Sequence, residues 1–307
     1  MHLPPDRPGT MGVNLTNWPE ISSFVSNRHD TYPFIDPTKA KNLRGKSVFI
    51  TGASKGCGKA TAVSFAKAGC TRIAVAARSN LDDVVAAVKA AGAARDPETE
   101  MRVIAVNVDV TSPDSMAAAA AEVSVAFDGV LDVVVANAGY LEAWAAMHEA
   151  DPVDWWRSWE VNVEGVYLTA KYFVPMLLRS ETKLFVAVSS IGAHLIRRHA
   201  SSYHINKFAV IRFVEYMQEE YAEEGIVAVS VHPGGVKTEL AMKMPGFMHE
   251  LLVDTPELFA DGIVWLAHER RGWLGGRFVN GCWDLEELEG RKGEVVERDL
   301  FKFRMTV

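Results

Sequence analysis

Residues 47–58 read Ser-Val-Phe-Ile-Thr-Gly-Ala-Ser-Lys-Gly-Cys-Gly, and this stretch decides the fold that the sequence predicts. Its β-branched and aromatic start predicts a short buried strand that ends at Thr51-Gly52. Glycine lets the backbone turn sharply and approach a ligand closely, and the N-terminus of a following helix offers free N–H groups to a pyrophosphate. The Gly-x-x-x-Gly-x-Gly spacing therefore predicts a nucleotide site, with a purely structural turn as the alternative.

Downstream of this stretch, the chain alternates between short apolar runs and helical patterns. The predicted strands span 47–50, 72–77, 101–108, 131–136, 184–189, 226–231 and 277–279. The predicted helices span 61–68, 81–91, 112–127, 152–160 and 163–179, and a further helix contains Tyr203 and runs to about Glu223. Such alternation is typical of parallel strands joined by helical crossovers. We therefore expect an α/β protein with a Rossmann-like, doubly wound parallel sheet of about seven strands and helices on both faces.

Three regions of the chain differ in composition. Residues 1–44 are rich in proline and show no sustained periodicity, so they predict an irregular N-terminal extension that packs on the domain or is disordered. Trp18, Tyr32 and Phe34 are its candidate anchors. Residues 45–285 form the predicted nucleotide-binding catalytic domain, and residues 286–307 a helical tail packed on the same domain.

Composition excludes several classes of protein. The 307 residues are 49% hydrophobic and 23% charged, as in ordinary globular enzymes, and the net charge of −7 comes without a basic stripe that would bind nucleic acid. No apolar run reaches membrane-spanning length, and the N-terminus does not resemble a signal peptide. The three cysteines are widely spaced and predict neither a disulfide framework nor a metal site. We expect a cytoplasmic protein that binds no metal, no nucleic acid and no membrane.

Tyr203 and Lys207 form the most informative pair of polar residues. On a helix, a spacing of four places the phenol and the ammonium on one face. A free tyrosine ionises near pH 10, and a cation beside it favours the phenolate and lowers that pKa. Lowering the pKa by three units requires about 4 kcal/mol, which one close cation and a bound positively charged ring can supply. The pair is therefore a candidate acid/base, although such spacing also occurs by chance on exposed helices.

Several motifs together resemble the short-chain dehydrogenase/reductase family in its compact single-domain branch. They are Thr51-Gly-x-x-x-Gly-x-Gly58, Asn137-Ala138-Gly139, Ser190, Tyr203-x-x-x-Lys207 and Pro233-Gly234-x-Val236-x-Thr238, and the match covers roughly residues 44–285. The extension and the tail more loosely resemble those of reductases from fungal metabolic pathways.

The resemblance implies four catalytic residues. Tyr203 exchanges a proton with the substrate oxygen, Lys207 binds the nicotinamide ribose and lowers the pKa of Tyr203, and Ser190 rather than Ser189 polarises the carbonyl. Asn162 corresponds to an asparagine that holds a water for a proton relay through Lys207, with a helix-kinking or capping role as the alternative. His194 and His204 lie near these residues in the sequence and receive no role.

The same resemblance implies the cofactor-binding residues. They are Gly52, Ser54, Lys55, Gly56, Cys57, Gly58, Arg78, Asp109, Val110, Asn137, Ala138, Gly139, Tyr203, Lys207, Pro233, Gly234, Val236 and Thr238. An acidic residue after the second strand would favour NAD, whereas this chain has Arg78 and Ser79 there and Lys55 in the glycine loop. Two cations converging on that position suit the 2′-phosphate of NADP(H), although either cation alone would not decide the choice.

The substrate end carries weaker signals. Residues 239–252 contain three methionines and Phe247, which predict either an adaptable flap over the substrate or a helix packed on the core or a partner subunit. With Trp144 and Leu195, they suggest an apolar small molecule of secondary metabolism. Trp155, Trp156 and Trp159 predict packing, and the resemblance implies a homodimer or homotetramer.

Together these signals predict an NADP(H)-dependent oxidoreductase that interconverts a carbonyl and an alcohol by hydride transfer. Isomerase, dehydratase or epimerase chemistry on the same scaffold is one alternative. A non-catalytic NADP-binding protein is the other.

Overall fold

Seven parallel strands form one sheet in a computed structural model that describes residues 24–305. The strands are β1 (Ser47–Thr51), β2 (Arg72–Ala77), β3 (Arg102–Asn107), β4 (Val133–Ala136), β5 (Leu184–Val188), β6 (Val227–His232) and β7 (Arg277–Asn280). Their order is β3-β2-β1-β4-β5-β6-β7, and every neighbouring pair is parallel. The predicted doubly wound sheet of seven strands is confirmed.

Helices cover both faces of this sheet. They are α1 (Gly56–Lys67), α2 (Asp82–Arg95), α3 (Pro113–Ala126), α4 (Pro152–Trp159), α5 (Gly165–Leu177), α6 (Ser201–Tyr221), α7 (Pro256–His268), α8 (Leu285–Gly290) and α9 (Lys292–Glu297). A π-helical turn at Glu160–Glu164 joins α4 to α5. Val48 and Ile50 of β1 pack with α1, α2 and α7, whereas Phe49 points to the other face and stacks on Phe173 of α5 at 3.9 Å between ring centroids. Because side chains alternate along a strand, β1 holds both halves of the core together.

The strand order places the crevice for a ligand. From β1 the chain fills the sheet towards β3, and it then crosses back to β4 on the other side of β1. In open α/β sheets, ligands bind outside the carboxyl ends of the strands at such a switch point. The loops after β1 and β4 therefore face each other across the predicted nucleotide site.

Three parts of the sequence prediction differ from the structure. Helix α1 begins at Gly56, inside the glycine motif, rather than at 61, because its N-terminus is part of the ligand-facing turn. Helix α7 was not predicted, since all ten residues from Leu258 to Ala267 are buried and leave no amphipathic pattern. Residues 239–252 form two short 3₁₀ segments, Ala241–Lys243 and Gly246–Leu251, and no α-helix.

Both ends of the described chain pack on the same edge of the domain. The Arg28 backbone N–H donates to the Cys282 carbonyl at 2.6 Å, and the Leu285 N–H donates to the Tyr32 hydroxyl at 2.6 Å. Leu288 and Val295 of the C-terminal helices are fully buried. Tyr32 therefore anchors the extension as predicted, Phe34 is 36% exposed, and Trp18 lies outside the described residues.

The helices of residues 24–305 include none with the length and apolar character that a membrane crossing requires. Within the same range, no three His, Cys, Asp or Glu side chains are grouped so that they could hold a metal ion. Cys57, Cys70 and Cys282 are all buried free thiols.

Candidate active site

The floor of the crevice is formed by glycines packed against the loop after β4. A Cβ on Gly52 would lie 2.8 Å from Ala138 Cα, and a Cβ on Gly58 would lie 2.5 Å from the Gly52 carbonyl oxygen. Gly52 and Gly56 also have positive φ angles of 63° and 53°. The Asn137 side-chain amide donates to the carbonyls of Thr51 and Gly52 at 2.8 and 3.1 Å, which ties the two loops together. Only glycine fits these positions, so the backbone is open to a ligand.

Helix α1 points its N-terminus into this crevice. Its N-cap residue, Lys55, is extended and makes no side-chain capping hydrogen bond. The first amide groups of a helix lack intrahelical partners, and they carry the positive end of the helix dipole. The arrangement fits the pyrophosphate of a dinucleotide, in agreement with the sequence prediction.

Most of the predicted cofactor residues line one cleft of about 590 Å³. From the first half of the chain these are Gly52, Ser54, Lys55, Gly56, Cys57, Gly58, Arg78, Asp109, Val110, Asn137, Ala138 and Gly139. From the second half they are Tyr203, Lys207, Pro233 and Thr238. Gly234 and Val236 are not among the lining residues. Both residues pack instead against Asp254. A Cβ on Gly234 would be 2.8 Å from Asp254 Oδ2, and Val236 forms an isolated β-bridge with Asp254.

The two predicted phosphate-binding cations both reach this cleft. Lys55 forms an ion pair with Glu239, and Arg78 Nη1 lies 4.0 Å from Asp109 Oδ2. Both cationic side chains remain exposed, at 61% and 64%. Exposed pairs of this kind are worth less than about 1 kcal/mol, so either cation can exchange its carboxylate for a phosphate.

Helix α6 carries Tyr203 and Lys207 on the side that faces the cleft. Lys207 is 3% exposed, and its Nζ donates to the Val188 carbonyl at 2.8 Å. The same Nζ lies 5.6 Å from the centroid of the Tyr203 ring. Spacing alone predicted this shared face.

The pKa of Tyr203 differs from the sequence prediction. Burial raises it to about 12, and a hydrogen bond with the Ser190 side chain opposes this shift. Burial also lowers the pKa of Lys207 to about 7, so that its ammonium is only partly charged at neutral pH. The prediction that Lys207 lowers the pKa of Tyr203 is therefore wrong for the protein without a bound cofactor. Desolvation of the phenol outweighs the attraction of this weakly charged neighbour.

Two adjacent serines end β5, and their hydroxyls have different partners. The Ser189 hydroxyl donates to the Lys207 backbone carbonyl at 2.8 Å. The Ser190 Oγ accepts from the Gly192 N–H at 3.0 Å and interacts with Tyr203. Ser189 thus holds helix α6 in place, whereas Ser190 is the serine beside the phenol.

Asn162 lies in the π-helical turn and uses its amide to hold neighbouring backbone. Its Oδ1 accepts from the Tyr140 N–H at 2.8 Å, and its Nδ2 donates to the Tyr140 carbonyl at 2.8 Å and to Asn206 Oδ1 at 3.0 Å. The wider turn brings this side chain to the loop after β4. A positioning role follows from these contacts, while the proton relay stays a prediction.

Aromatic and apolar side chains occur on the loop after β4 and on the 239–252 segment. Trp144 meets the edge of His204 at 6.3 Å between ring centroids, and the His204 Nδ1 donates to the Leu195 carbonyl at 3.0 Å. Met242 and Phe247 of the 239–252 segment are 47% and 56% exposed. The segment lies next to the cleft through Glu239 and Leu240, which also line it.

Sequence reasoning missed several residues at the site. Lys237, Glu239 and Leu240 line the cleft without having been predicted to bind the cofactor, although all are close in sequence to predicted residues. Glu142 accepts a hydrogen bond from the Tyr203 backbone N–H across 61 residues of sequence, and no local pattern signals that contact.

Comparisons with known proteins agree with this geometry. The sequence profile described as short chain dehydrogenase matches residues 46–247. Short chain dehydrogenase mpl6 of Monascus purpureus is 45% identical over 287 residues, which cover 93% of this chain and 97% of that protein. Short chain dehydrogenase pigC of Monascus ruber is 42% identical over 308 residues, which cover 98% and 99% of the two chains.

Solved structures share the fold. A short-chain type dehydrogenase/reductase from Mycobacterium marinum is 27% identical with a TM-score of 0.70, and the match covers 81% of this chain and 97% of that one. A 3-ketoacyl-(acyl-carrier-protein) reductase from Brucella melitensis, complexed with NADH, is 24% identical with a TM-score of 0.66 and coverages of 78% and 97%.

Proposed function

The chain belongs to the short-chain dehydrogenase/reductase family of oxidoreductases, and from that premise we propose that it interconverts a ketone or aldehyde and an alcohol with NADP(H). One observation carries the proposal: Tyr203 and Lys207 line the same cleft as the glycine loop, and the Ser190 side chain forms a hydrogen bond with Tyr203. A dinucleotide lying along that cleft would bring its reactive ring to these side chains.

Each of the three side chains has a distinct task in reduction. Ser190 donates a hydrogen bond to the carbonyl oxygen of the substrate, and Tyr203 gives the same oxygen its proton. When bound, NADPH would supply the hydride that the carbonyl carbon accepts. Lys207 would hold the ribose of the cofactor and favour the phenolate of Tyr203, which then regains a proton from solvent. Asn162 joins the loop after β4 to helix α6, because its side chain forms hydrogen bonds with Tyr140 and Asn206.

NADP(H) is preferred over NAD(H) because of charge. Arg78 and Lys55 both line the cleft, and no carboxylate occupies the position directly after β2. Asp109, the nearby acid, comes from β3 and pairs with Arg78. Kinetic runs with both cofactors test this point, and equal kcat/KM values for NADPH and NADH would contradict it.

An apolar substrate fits the side chains around the reacting groups. Trp144 packs edge-on against His204, the residue after Tyr203. Met242 and Phe247 expose apolar surface on the 239–252 segment, which begins at the cleft. Isomerase, dehydratase or epimerase chemistry is the alternative on the same residues. It would return NADPH unchanged, so stoichiometric NADPH consumption during turnover separates it from reduction.

We also propose that the protein works as a homodimer or homotetramer in the cytoplasm. Trp155, Trp156 and Trp159 form a cluster whose ring centroids are 6.0–6.2 Å apart, and Trp156 still exposes 56% of its surface. Tyr167 on α5 is 48% exposed. Together they give α4 and α5 apolar surface that a second copy could cover.

Replacement of Tyr203 tests the mechanism directly. Tyr203→Phe removes only the hydroxyl, so we expect a loss of at least about 100-fold in kcat with NADPH binding nearly unchanged. Tyr216→Phe is the matched control, because Tyr216 lies on the same helix and is 64% exposed. Full activity in Tyr203→Phe across a panel of carbonyl compounds would disprove the assigned role.

A further inference from the structure

Asp254 lies at the point where residues 237–253 return to the loop after strand β6. Its side chain is only 5% exposed. The Asp254 Oδ2 accepts from the Gly235 N–H at 2.5 Å and from the Cys282 thiol at 3.1 Å. The other oxygen, Oδ1, accepts from the His29 Nδ1 at 2.6 Å. One carboxylate therefore joins the loop after β6, the loop after β7 and the N-terminal extension.

Residues 237–253 form a loop that is closed at its base, and we call them the 237–253 loop. Val236, directly before the loop, forms a parallel β-bridge with Asp254, directly after it. The Asp254 backbone N–H also donates to the Gly235 carbonyl at 3.0 Å. Main chain and side chain of Asp254 thus both fasten the end of the loop to its beginning.

Two glycines leave room for this closure. A Cβ on Gly234 would lie 2.8 Å from Asp254 Oδ2 and 3.0 Å from the Cys282 Sγ. A Cβ on Gly235 would collide with the Leu251 carbonyl oxygen. Gly234 also has a φ of 92°, a conformation that favours glycine. Both glycines therefore serve the closed base of the 237–253 loop.

The N-terminal extension binds the same base through consecutive residues. In addition to the side-chain contact of His29, its carbonyl accepts from the Thr255 N–H at 3.0 Å. The Asp30 carboxylate accepts from the Thr255 hydroxyl at 2.8 Å. The Arg28 backbone is fixed in turn to Cys282. The extension therefore supports the residues on which the end of the 237–253 loop rests.

The first residues of the 237–253 loop reach the cofactor cleft. Residues 237–240 all line it. Thr238 also packs on the glycine loop, since a Cβ on Gly56 would lie 3.0 Å from its Cγ2. Segments held by few contacts open locally, so a loop released at its base would carry these residues away from a bound cofactor.

We propose that Asp254 is a positioning residue that holds the 237–253 loop against the cofactor cleft, and that the N-terminal extension supports it through His29. Asp254 does not line the cleft itself, so it acts through residues 237–240. A carboxylate suits this task because both of its oxygens accept hydrogen bonds, whereas an amide accepts at only one atom. The inference rests on the proposed binding of NADP(H).

Asp254→Asn tests the role of the carboxylate. It keeps the shape but replaces one accepting oxygen with an NH₂ group, so at least one donor loses its acceptor. We expect NADPH binding, measured by fluorescence titration, to weaken about tenfold, as for a loop that is in place about a tenth of the time. Asp132→Asn is the matched control, because the Asp132 side chain is 3% exposed and lies at the opposite end of the sheet, before β4. It should bind NADPH as tightly as the wild type.

Two variants of His29 test the part of the extension. His29→Ala removes the donor to Asp254, and because this side chain is 64% exposed we expect NADPH binding to weaken only about two- to threefold. His29→Asn places an NH₂ group near the position of Nδ1 and should restore wild-type binding. Unchanged binding in His29→Ala would overturn the role of the extension.

Hydrogen exchange measures the 237–253 loop without any cofactor. In Asp254→Asn the backbone amides of this loop should exchange faster than in the wild type, while those of the sheet exchange as before. Unchanged exchange in the loop, or faster exchange spread evenly over the chain, would overturn the inference, as would NADPH binding of wild-type strength. If the wild type does not bind NADPH, the proposed function fails, while the exchange pattern still decides whether Asp254 holds the loop.

Discussion

Acid should destabilise this protein through two half-buried histidines, His194 and His232, each of which has one buried ring nitrogen. His194 packs against Phe278 and Phe303 at 4.4 and 4.8 Å between ring centroids, and its Nε2 is buried without a partner in the described chain. The Nδ1 of His232 is likewise buried without a hydrogen-bond partner among residues 24–305. Burial lowers the pKa of each imidazole from 6.5 to about 4.

The sign and size of the effect follow from linkage. Between pH 6.5 and pH 4 the unfolded chain binds protons that the folded protein excludes, so the free energy of unfolding falls as the pH falls through that window. Each histidine contributes about 1.4 kcal/mol per pH unit, or about 3 kcal/mol over the whole window. Since domains are stable by about 5–15 kcal/mol, the two together could unfold this one.

Urea unfolding between about pH 7.5 and about pH 4.5 measures this slope. His194→Phe should fit against its aromatic neighbours and flatten the dependence by about 1.4 kcal/mol per pH unit. His148→Phe is the control, because that side chain is 84% exposed and its replacement removes no buried group. Parallel slopes for wild type and His194→Phe would refute the reasoning.

Three further predictions concern the cofactor and the oligomer. Glu239→Gln removes the partner of Lys55 and should lower the KM for NADPH by about two- to fivefold, with the KM for NADH unchanged, in steady-state kinetics. Gly58→Ala places a Cβ 2.5 Å from the Gly52 carbonyl oxygen, so cofactor binding measured by fluorescence titration should weaken by at least about 100-fold while the far-ultraviolet circular dichroism stays native. Trp156→Glu puts a charge on the proposed interface and should lower the mass measured by light scattering; an unchanged mass would place the interface elsewhere.

The sequence predicted those parts of the structure that depend on local signals. All seven strands and the turn at Gly52 were found, because a buried parallel strand is a short β-branched run and a ligand-facing turn needs glycine. Helix α7 was missed because burial on every side removes the periodicity that identifies a helix. The start of α1 was placed too late, since glycines that serve a ligand resemble a loop more than a helix.

The environment of the candidate site was harder to predict than the spacing of its residues. Tyr203 and Lys207 share a helix, so their spacing brings them together. Glu142 reaches Tyr203 through the fold alone, and the high pKa of the phenol results from burial that no pairwise spacing reveals. Electrostatic environment is a property of the assembled site, and a sequence motif describes only the groups that enter it.

Lys207 shows what this environment costs the protein. Burial lowers its pKa from 10.5 to about 7, so between these values the unfolded chain holds a proton that the folded protein excludes, and stability rises with pH across that window. At pH 7 the lowered pKa of Lys207 costs the folded protein about 4 kcal/mol of stability. A variant without the ammonium avoids this cost, but it loses the hydrogen bond to the Val188 carbonyl, which is worth about 1–3 kcal/mol. Lys207→Met should therefore be inactive, yet about 1–3 kcal/mol more stable than the wild type near neutral pH.

The pH dependence of that gain separates this explanation from better packing of the methionine. The advantage of Lys207→Met should shrink as the pH rises from 7 to above 10.5, where the wild-type lysine becomes neutral in both states. Urea unfolding of both proteins at several pH values gives the difference directly. If Lys207→Met is more stable than the wild type by the same amount at every pH, better packing causes the gain. If the variant is less stable at neutral pH, burial of Lys207 does not destabilise the folded protein. A shrinking gain would show that burial of the charged lysine costs the folded protein stability near neutral pH.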